Sequence, residues 1–147
     1  MKKKIDYYTL AKDKMDIILK LEKQLENTTI SEKVLDYIKI RVSQLNGCAY
    51  CIGIHTKDAR KKGITEDEIY LLNAWRESNI YDKKTKLVLE LAETITLDIQ
   101  HGISDELLDR LDEEFSDIEY IDLVLSINQI NMWNRLSIAM GNTYNKT

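Results

Sequence analysis

Cys48, Cys51 and His55 carry both thiols and one of only two imidazoles in a chain of 147 residues. On a helix, spacings of three and four residues set their side chains on one face. A thiol becomes a nucleophile only as thiolate, and the unpaired amides and dipole of a helix N-terminus lower its pKa. In Asn46-Gly47-Cys48-Ala49-Tyr50-Cys51-Ile52-Gly53-Ile54-His55, Gly47 can close one helix in the left-handed conformation, so that Cys48 opens the next. Sulfurs at this spacing are within reach of a disulfide, and a sulfenic acid formed on one would condense with the other. His55, one turn beyond Cys51, can take the thiol proton directly or through water, the nucleophile and base pairing that thiol catalysis needs.

Asp36 is the candidate partner for that imidazole. It falls among apolar residues of the preceding helix, where an unpaired carboxylate is costly, and it can orient or charge-balance His55. On periodicity alone it can equally lie on the polar side with Lys33 or Lys39. Zinc is a second reading, because Cys48, Cys51, His55 and Asp36 are four ligands of acceptable type. Against it, structural zinc sites commonly join ligand pairs from separate segments, whereas three of these come from one helix. A thioredoxin-like arrangement fails on architecture, since no strand or βαβ pattern precedes the motif. His101, beside Gly102, has no cysteine or acid cluster near it in sequence and is given no function.

The elements that must place these groups read as helices throughout. There is no proline, there are only 5 glycines, and apolar residues recur at spacings of three and four. The first helix is expected from about Tyr7 to Glu26, with Tyr8, Ala11, Met15, Ile18, Leu21 and Leu25 as its stripe. Thr29 with Glu32 reads as a capping box for a second helix over Ile30 to Asn46, a central one by its wide apolar surface. The third runs from Cys48 to Lys62 and stops at Gly63. Thr65 with Glu68 is another capping box, stapled by Ile64 and Ile69, and Asp82 caps a helix to about Asp98. Ser104 caps a short helix, and Ser116 with Glu119 opens a last one reaching about Met140. At roughly 37 Å that helix is long for a domain of this size, and it is expected to pack against another subunit. Asn128, Asn131 and Arg135 are read as a polar inter-helix or inter-subunit network on it.

Composition narrows the function classes. With 21 Lys+Arg against 25 Asp+Glu, interspersed, the net charge is −4 and there is no nucleic-acid footprint. No run approaches the 18 or so apolar residues of a membrane span, and Asp6, Lys12, Asp13 and Lys14 interrupt the apolar run that a leader would need after Met1-Lys2-Lys3-Lys4. The expectation is one soluble, cytoplasmic domain over residues 1–147, in a compartment that keeps thiols reduced and makes a purely structural disulfide improbable.

The sequence resembles the alkylhydroperoxidase D-like branch of the carboxymuconolactone decarboxylase family. The matching residues are Arg41 through Cys51, His55-Thr56-Lys57-Asp58-Ala59-Arg60-Lys61 and Gly63, Ala74-Trp75-Arg76-Glu77, Leu89-Glu90-Leu91-Ala92-Glu93, and Trp133-Asn134-Arg135-Leu136. The resemblance implies an all-α fold of about seven helices, with the C-x-x-C at the N-terminus of the third and a long C-terminal helix. It further implies homo-oligomers, often trimers or hexamers, and thiol-dependent peroxidase activity. Hydroperoxide is then the substrate, a dithiol such as a lipoylated protein the electron donor, and no metal or other cofactor is needed. Position by position, Cys51 matches the peroxide-attacking cysteine, Cys48 the resolving one and His55 the relay histidine. Asp36 stands where the family usually has a relay glutamate, and Tyr50 where the best-studied peroxidase type has a histidine. Two other classes stay open, a disulfide reductase or electron carrier and a non-redox decarboxylase-like member, although the latter branch generally lacks the cysteine pair.

Overall fold

Residues 3–145 are described by a computed structural model in which every regular element is helical. Eight α-helices follow in order among the described residues: α1 (Tyr7–Leu10), α2 (Lys12–Leu25), α3 (Glu32–Leu45), α4 (Ala49–Lys61), α5 (Glu66–Tyr70), α6 (Lys83–Leu97), α7 (Asp105–Asp112) and α8 (Asp117–Ala139). Single 3₁₀ turns follow α5 and α6. No helix among the described residues is long and apolar enough to cross a membrane.

The helix starts obey the capping chemistry of their sequences. Thr65 and Ser116 each accept from the amide three residues on, while Glu68 and Glu119 reach back to the cap amides, completing both boxes. Asp82 and Ser104 cap α6 and α7 by the first of these bonds alone, accepting from the Thr85 and Leu107 amides. The start of α3 differs from the expectation: its cap is Ser31, which accepts from the Val34 amide, and the Thr29 hydroxyl instead donates to Glu119 on α8. The staple decides between them. With Ser31 as cap, the flanking apolar pair is Ile30 and Leu35, both buried in one cluster, whereas Thr29 would place Thr28 and Lys33 there.

The expected first helix is two. Asp6 caps α1, and at Ala11 the backbone leaves the helical region (φ −128, ψ 41) before α2 begins. The Ile5 amide donates to the Met140 carbonyl, tying this end of the chain to the end of α8. Tyr7, not Tyr8, is consequently the buried tyrosine of α1.

Helix α3 is central, packing against α4, α6 and α8. Its Leu35, Ile38 and Val42 enter a cluster with Val88, Leu91 and Ile95 of α6 and Leu123, Ile127 and Ile130 of α8. Tyr37 and Ile40 enter a second cluster with Ala59, Leu72 and Trp75. At roughly 1.5–3 kcal/mol for each fully buried aliphatic side chain, these two faces fix α3, and with it the start of α4. A part-buried ion network reinforces the α3 and α6 contact. Glu93 accepts from Arg41 (Nη2, 2.9 Å), from the Trp75 indole at 2.8 Å and from Arg76 at 2.7 Å. Burial alone would raise the Glu93 pKa, but these three donors hold it below the usual carboxylate value.

Candidate active site

The turn between α3 and α4 is built to present two sulfurs. Gly47 has φ +65, a conformation that costs glycine little, and the Cys48 amide returns to the Ser43 carbonyl at 3.0 Å. Cys48 thereby becomes the N-cap of α4, its sulfur accepting from the Cys51 amide. The two cysteines, with Cα atoms 5.3 Å apart, are joined as a disulfide.

Behind the turn lies a network of amides. The Asn46 side chain donates to Asn131 at 2.9 Å and to Asn134 at 3.0 Å. Asn134 donates on to the Ser43 hydroxyl at 2.9 Å, and Asn131 to Thr96 and to the Ile127 carbonyl. Every member is partnered, so the network fixes the turn against α8 instead of leaving orphaned polar groups. Asn131 belongs to it as expected. Asn128 and Arg135 are exposed, and Asn134 takes the place anticipated for them.

A cleft of about 150 Å³ opens onto Cys51 and His55, and Cys48 is not part of its wall. Its sides come from elements distant in sequence: Tyr7 and Tyr8 of α1, Glu22 of α2, Tyr50 and Ile54 of α4, and Trp133 and Ser137 of α8. Tyr8 stacks on Tyr7 and on Trp133, with centroids 4.8 and 6.2 Å away, and the Trp133 indole donates to Glu22 at 3.0 Å. Although Tyr8 is half-exposed, the packing around its ring, then the neighbouring Tyr7, raises the pKa of its hydroxyl. The imidazole of His55 moves the other way. Burial, and next the charge of Lys39, lower its pKa from 6.5 to about 4, so that beside the disulfide it is neutral at pH 7.

Cys48, Cys51 and His55 therefore come together. Asp36 does not join them. It is buried, but both of its oxygens accept from Lys62 at 3.0 Å, and Lys62 also pairs with Glu32. The expected contact with His55 is replaced by this ion pair near the C-terminal end of α4, because an enclosed carboxylate takes the cation that packing brings within reach. The four-residue zinc set is likewise not gathered, and among the described residues no three His, Cys, Asp or Glu side chains converge for a metal. His101 is exposed, with its ring against Asp98. Tyr7, Tyr8, Glu22 and Ser137 carry no local motif. Only the docking of α1, α2 and α8 brings them to the cleft.

Comparison with known proteins gives one family, described as the carboxymuconolactone decarboxylase family, whose profile matches residues 15–94. An uncharacterized protein of Bacillus subtilis (strain 168), YdfG, is 49% identical over 142 residues, which cover 97% of each chain. Among solved structures, a protein of unknown function from Agrobacterium tumefaciens, whose description points to the antioxidant defence protein AhpD, superposes with a TM-score of 0.89. It is 28% identical, over 98% of this chain and 100% of that one. An uncharacterized peroxidase-related protein from Silicibacter sp. TM1040 shares the fold, with a TM-score of 0.81 and 21% identity, over 90% of this chain and 71% of that one.

Proposed function

The chain belongs to the carboxymuconolactone decarboxylase family, in its AhpD-like branch, and from that premise we propose that it is a thiol-dependent peroxidase working through a Cys48–Cys51 dithiol/disulfide cycle. The observation that carries the reading is the cleft, which reaches Cys51 and His55 but not Cys48. A small oxidant entering there meets Cys51 first and leaves Cys48 to resolve.

In the dithiol form His55 takes the proton of Cys51, and the thiolate so formed at the start of α4 raises the basicity of the neighbouring imidazole above its value beside the uncharged disulfide. The thiolate attacks one peroxide oxygen and the O–O bond breaks, leaving a sulfenic acid on Cys51, while the departing alkoxide takes the proton from His55 to leave as alcohol. The Cys48 thiol then attacks the Cys51 sulfur, forming the disulfide and releasing water. Two electrons and two protons from a dithiol donor restore the starting state. Both cysteines are buried, at 2% and 5% exposure, which favours a slender donor such as the lipoyl arm of a protein over a bulky folded partner. Asp36 enters this scheme only through Lys62, whose charge adds to the lowering of the His55 pKa. The reading includes assembly into a homo-oligomer.

Turnover of cumene hydroperoxide with dihydrolipoamide tests it. Cys51→Ser is expected to abolish turnover. Cys48→Ser is expected to stop after one event, with sulfenic acid trapped on Cys51. Unchanged steady-state turnover in Cys51→Ser would sink the reading, and activity toward disulfide substrates alone would replace it with a reductase.

A further inference from the structure

We infer that Glu22 sets which small thiols and reagents reach Cys51, admitting uncharged ones and turning away those that carry a carboxylate. The inference rests on the reading of the cleft as the way in to Cys51. Its consequence for the electron donor is a preference for a dithiol that ends in an amide, as a lipoyl group does when joined to a protein, over the same dithiol as a free acid. Glu22 brings the one carboxylate to the wall of the cleft, and no lysine or arginine lines it. The rest of the wall is uncharged at neutral pH: three phenols, an indole, a serine hydroxyl and Ile54. The Tyr7 and Tyr8 hydroxyls titrate above the ordinary tyrosine value, through desolvation first, and His55 is neutral beside the disulfide.

Nothing in the wall offsets the charge of Glu22. On α2 the positions one turn away hold Ile18, Leu19, Leu25 and Glu26, so helical spacing supplies no cation. The side chain is half-buried, and its Oε2 accepts from the Trp133 indole at 3.0 Å, which holds the carboxylate at the wall. Lys39 lines a neighbouring cavity that shares Glu22 and Trp133 with the cleft, and Glu26 stands there with the opposite charge. Lys62 is taken up by Asp36 and Glu32. Like charges brought together in a partly dry cleft repel more strongly than in bulk water, and such a repulsion excludes the wrong ligand without a new contact to the right one. In the exchange, a donor thiolate attacks the Cys51 sulfur, the Cys48–Cys51 bond breaks and Cys48 leaves. The second donor thiol then displaces Cys51, so that the protein gains two electrons and two protons and the donor becomes a disulfide. The attacking thiolate is the same in an amide and in a free acid, and its repulsion by Glu22 cancels between them. Only the charge at the far end of the molecule distinguishes the two.

The test needs no peroxide, so its failure is separable from failure of the peroxidase reading. In a Cys48→Ser background, iodoacetamide and iodoacetate alkylate Cys51, and the ratio of their rates is compared with the ratio for 2-mercaptoethanol. The uncharged reagent is expected to be favoured about tenfold beyond that reference. Glu22→Gln, whose amide oxygen can still accept from Trp133, is expected to remove most of the preference. A change in the Cys51 pKa on loss of the nearby charge alters both rates alike and leaves their ratio. Glu106→Gln makes the same change in net charge at an exposed residue of α7 outside the cleft wall, and is expected to keep the parent ratio. With both cysteines present, dihydrolipoamide is expected to reduce the disulfide several-fold faster than dihydrolipoate, and Glu22→Gln to narrow the gap. A protein that shows these ratios but turns over no peroxide keeps the assignment and loses the peroxidase reading. Equal alkylation ratios in the parent and Glu22→Gln overturn the assignment. So does a parent ratio no greater than the reference, or a Glu106→Gln variant that loses the preference as well.

Discussion

At the scale of single residues, the protonation of His55 ties the site to the stability of the whole chain. Its pKa falls from 6.5 to about 4 on folding, through burial first and Lys39 second, so the unfolded chain binds this proton more readily than the folded one. Stability from this group is complete above pH 6.5, is lost as pH falls toward 4, and changes no further below that. The loss amounts to at most about 3 kcal/mol. Urea unfolding of the oxidised protein between pH 7 and 4 is expected to show a steeper decline than the same series in His55→Gln. Asp36→Asn is expected to keep the steep decline, because its carboxylate bonds Lys62 and not the imidazole. Parallel curves for parent and His55→Gln would refute the half-buried, neutral imidazole. Much of this site is legible in the sequence, since Cys48, Cys51 and His55 declare themselves by spacing on one helix. Asp36 misleads because its burial can be anticipated, but its choice of cation depends on how α3 and α4 pack. Ser137 and Glu22 are silent, being isolated residues of common type that reach the wall of the cleft only through the docking of α2 and α8.

Among the elements, the caps separate what a local pattern decides from what packing decides. Thr65 with Glu68 and Ser116 with Glu119 form the boxes their sequences announce, because each is also flanked by an apolar staple. Thr29 with Glu32 has the box pattern without the staple, and Ser31, between Ile30 and the rest of the helix, is the cap. Ser31→Ala is therefore expected to cost about 1 kcal/mol, and Thr29→Ala, which removes one exposed bond to Glu119, no more than about 0.5 kcal/mol. Urea denaturation of the two variants measures the difference, and equal losses would restore Thr29 as cap. The break at Ala11 had no such signal, for no glycine or proline stands there and the apolar period runs straight through it. Attachment of Ile5 to Met140 and of Asn142 to Tyr7 sets it, and both are contacts over the full length of the chain. That break turns Tyr7 inward and leaves Tyr8 over Trp133, placing two of the aromatic walls of the cleft.

For the molecule as a whole, α8 is the element with a face to spare. It contributes Leu123, Ile127 and Ile130 to the core and Asn131 and Asn134 to the network behind the cysteine turn. Yet Ile118, Ile121 and Leu125, spaced three and four apart on one stripe, remain 62%, 49% and 41% exposed. Single exposed apolar residues are ordinary, but a stripe along a helix of 23 residues, about 35 Å long, is the form an interface between copies takes. The expected oligomer therefore has a candidate surface that lies apart from the cleft, since none of the three residues lines it. Sedimentation equilibrium is expected to give three or six chain masses for the parent. Ile121→Lys with Leu125→Lys is expected to shift the protein toward a single chain mass with little change in helix content, because exposed substitutions away from buried features usually alter stability by within about 0.5 kcal/mol. A parent that sediments as one chain would remove the oligomer from the reading. A parent oligomer that the double variant leaves intact would move the interface elsewhere, to the exposed Leu10 and Ile17 of the first two helices. Because Cys48, Cys51 and His55 all belong to one chain, the dissociated variant is also expected to retain Cys51 alkylation at the parent rate, which separates assembly from chemistry.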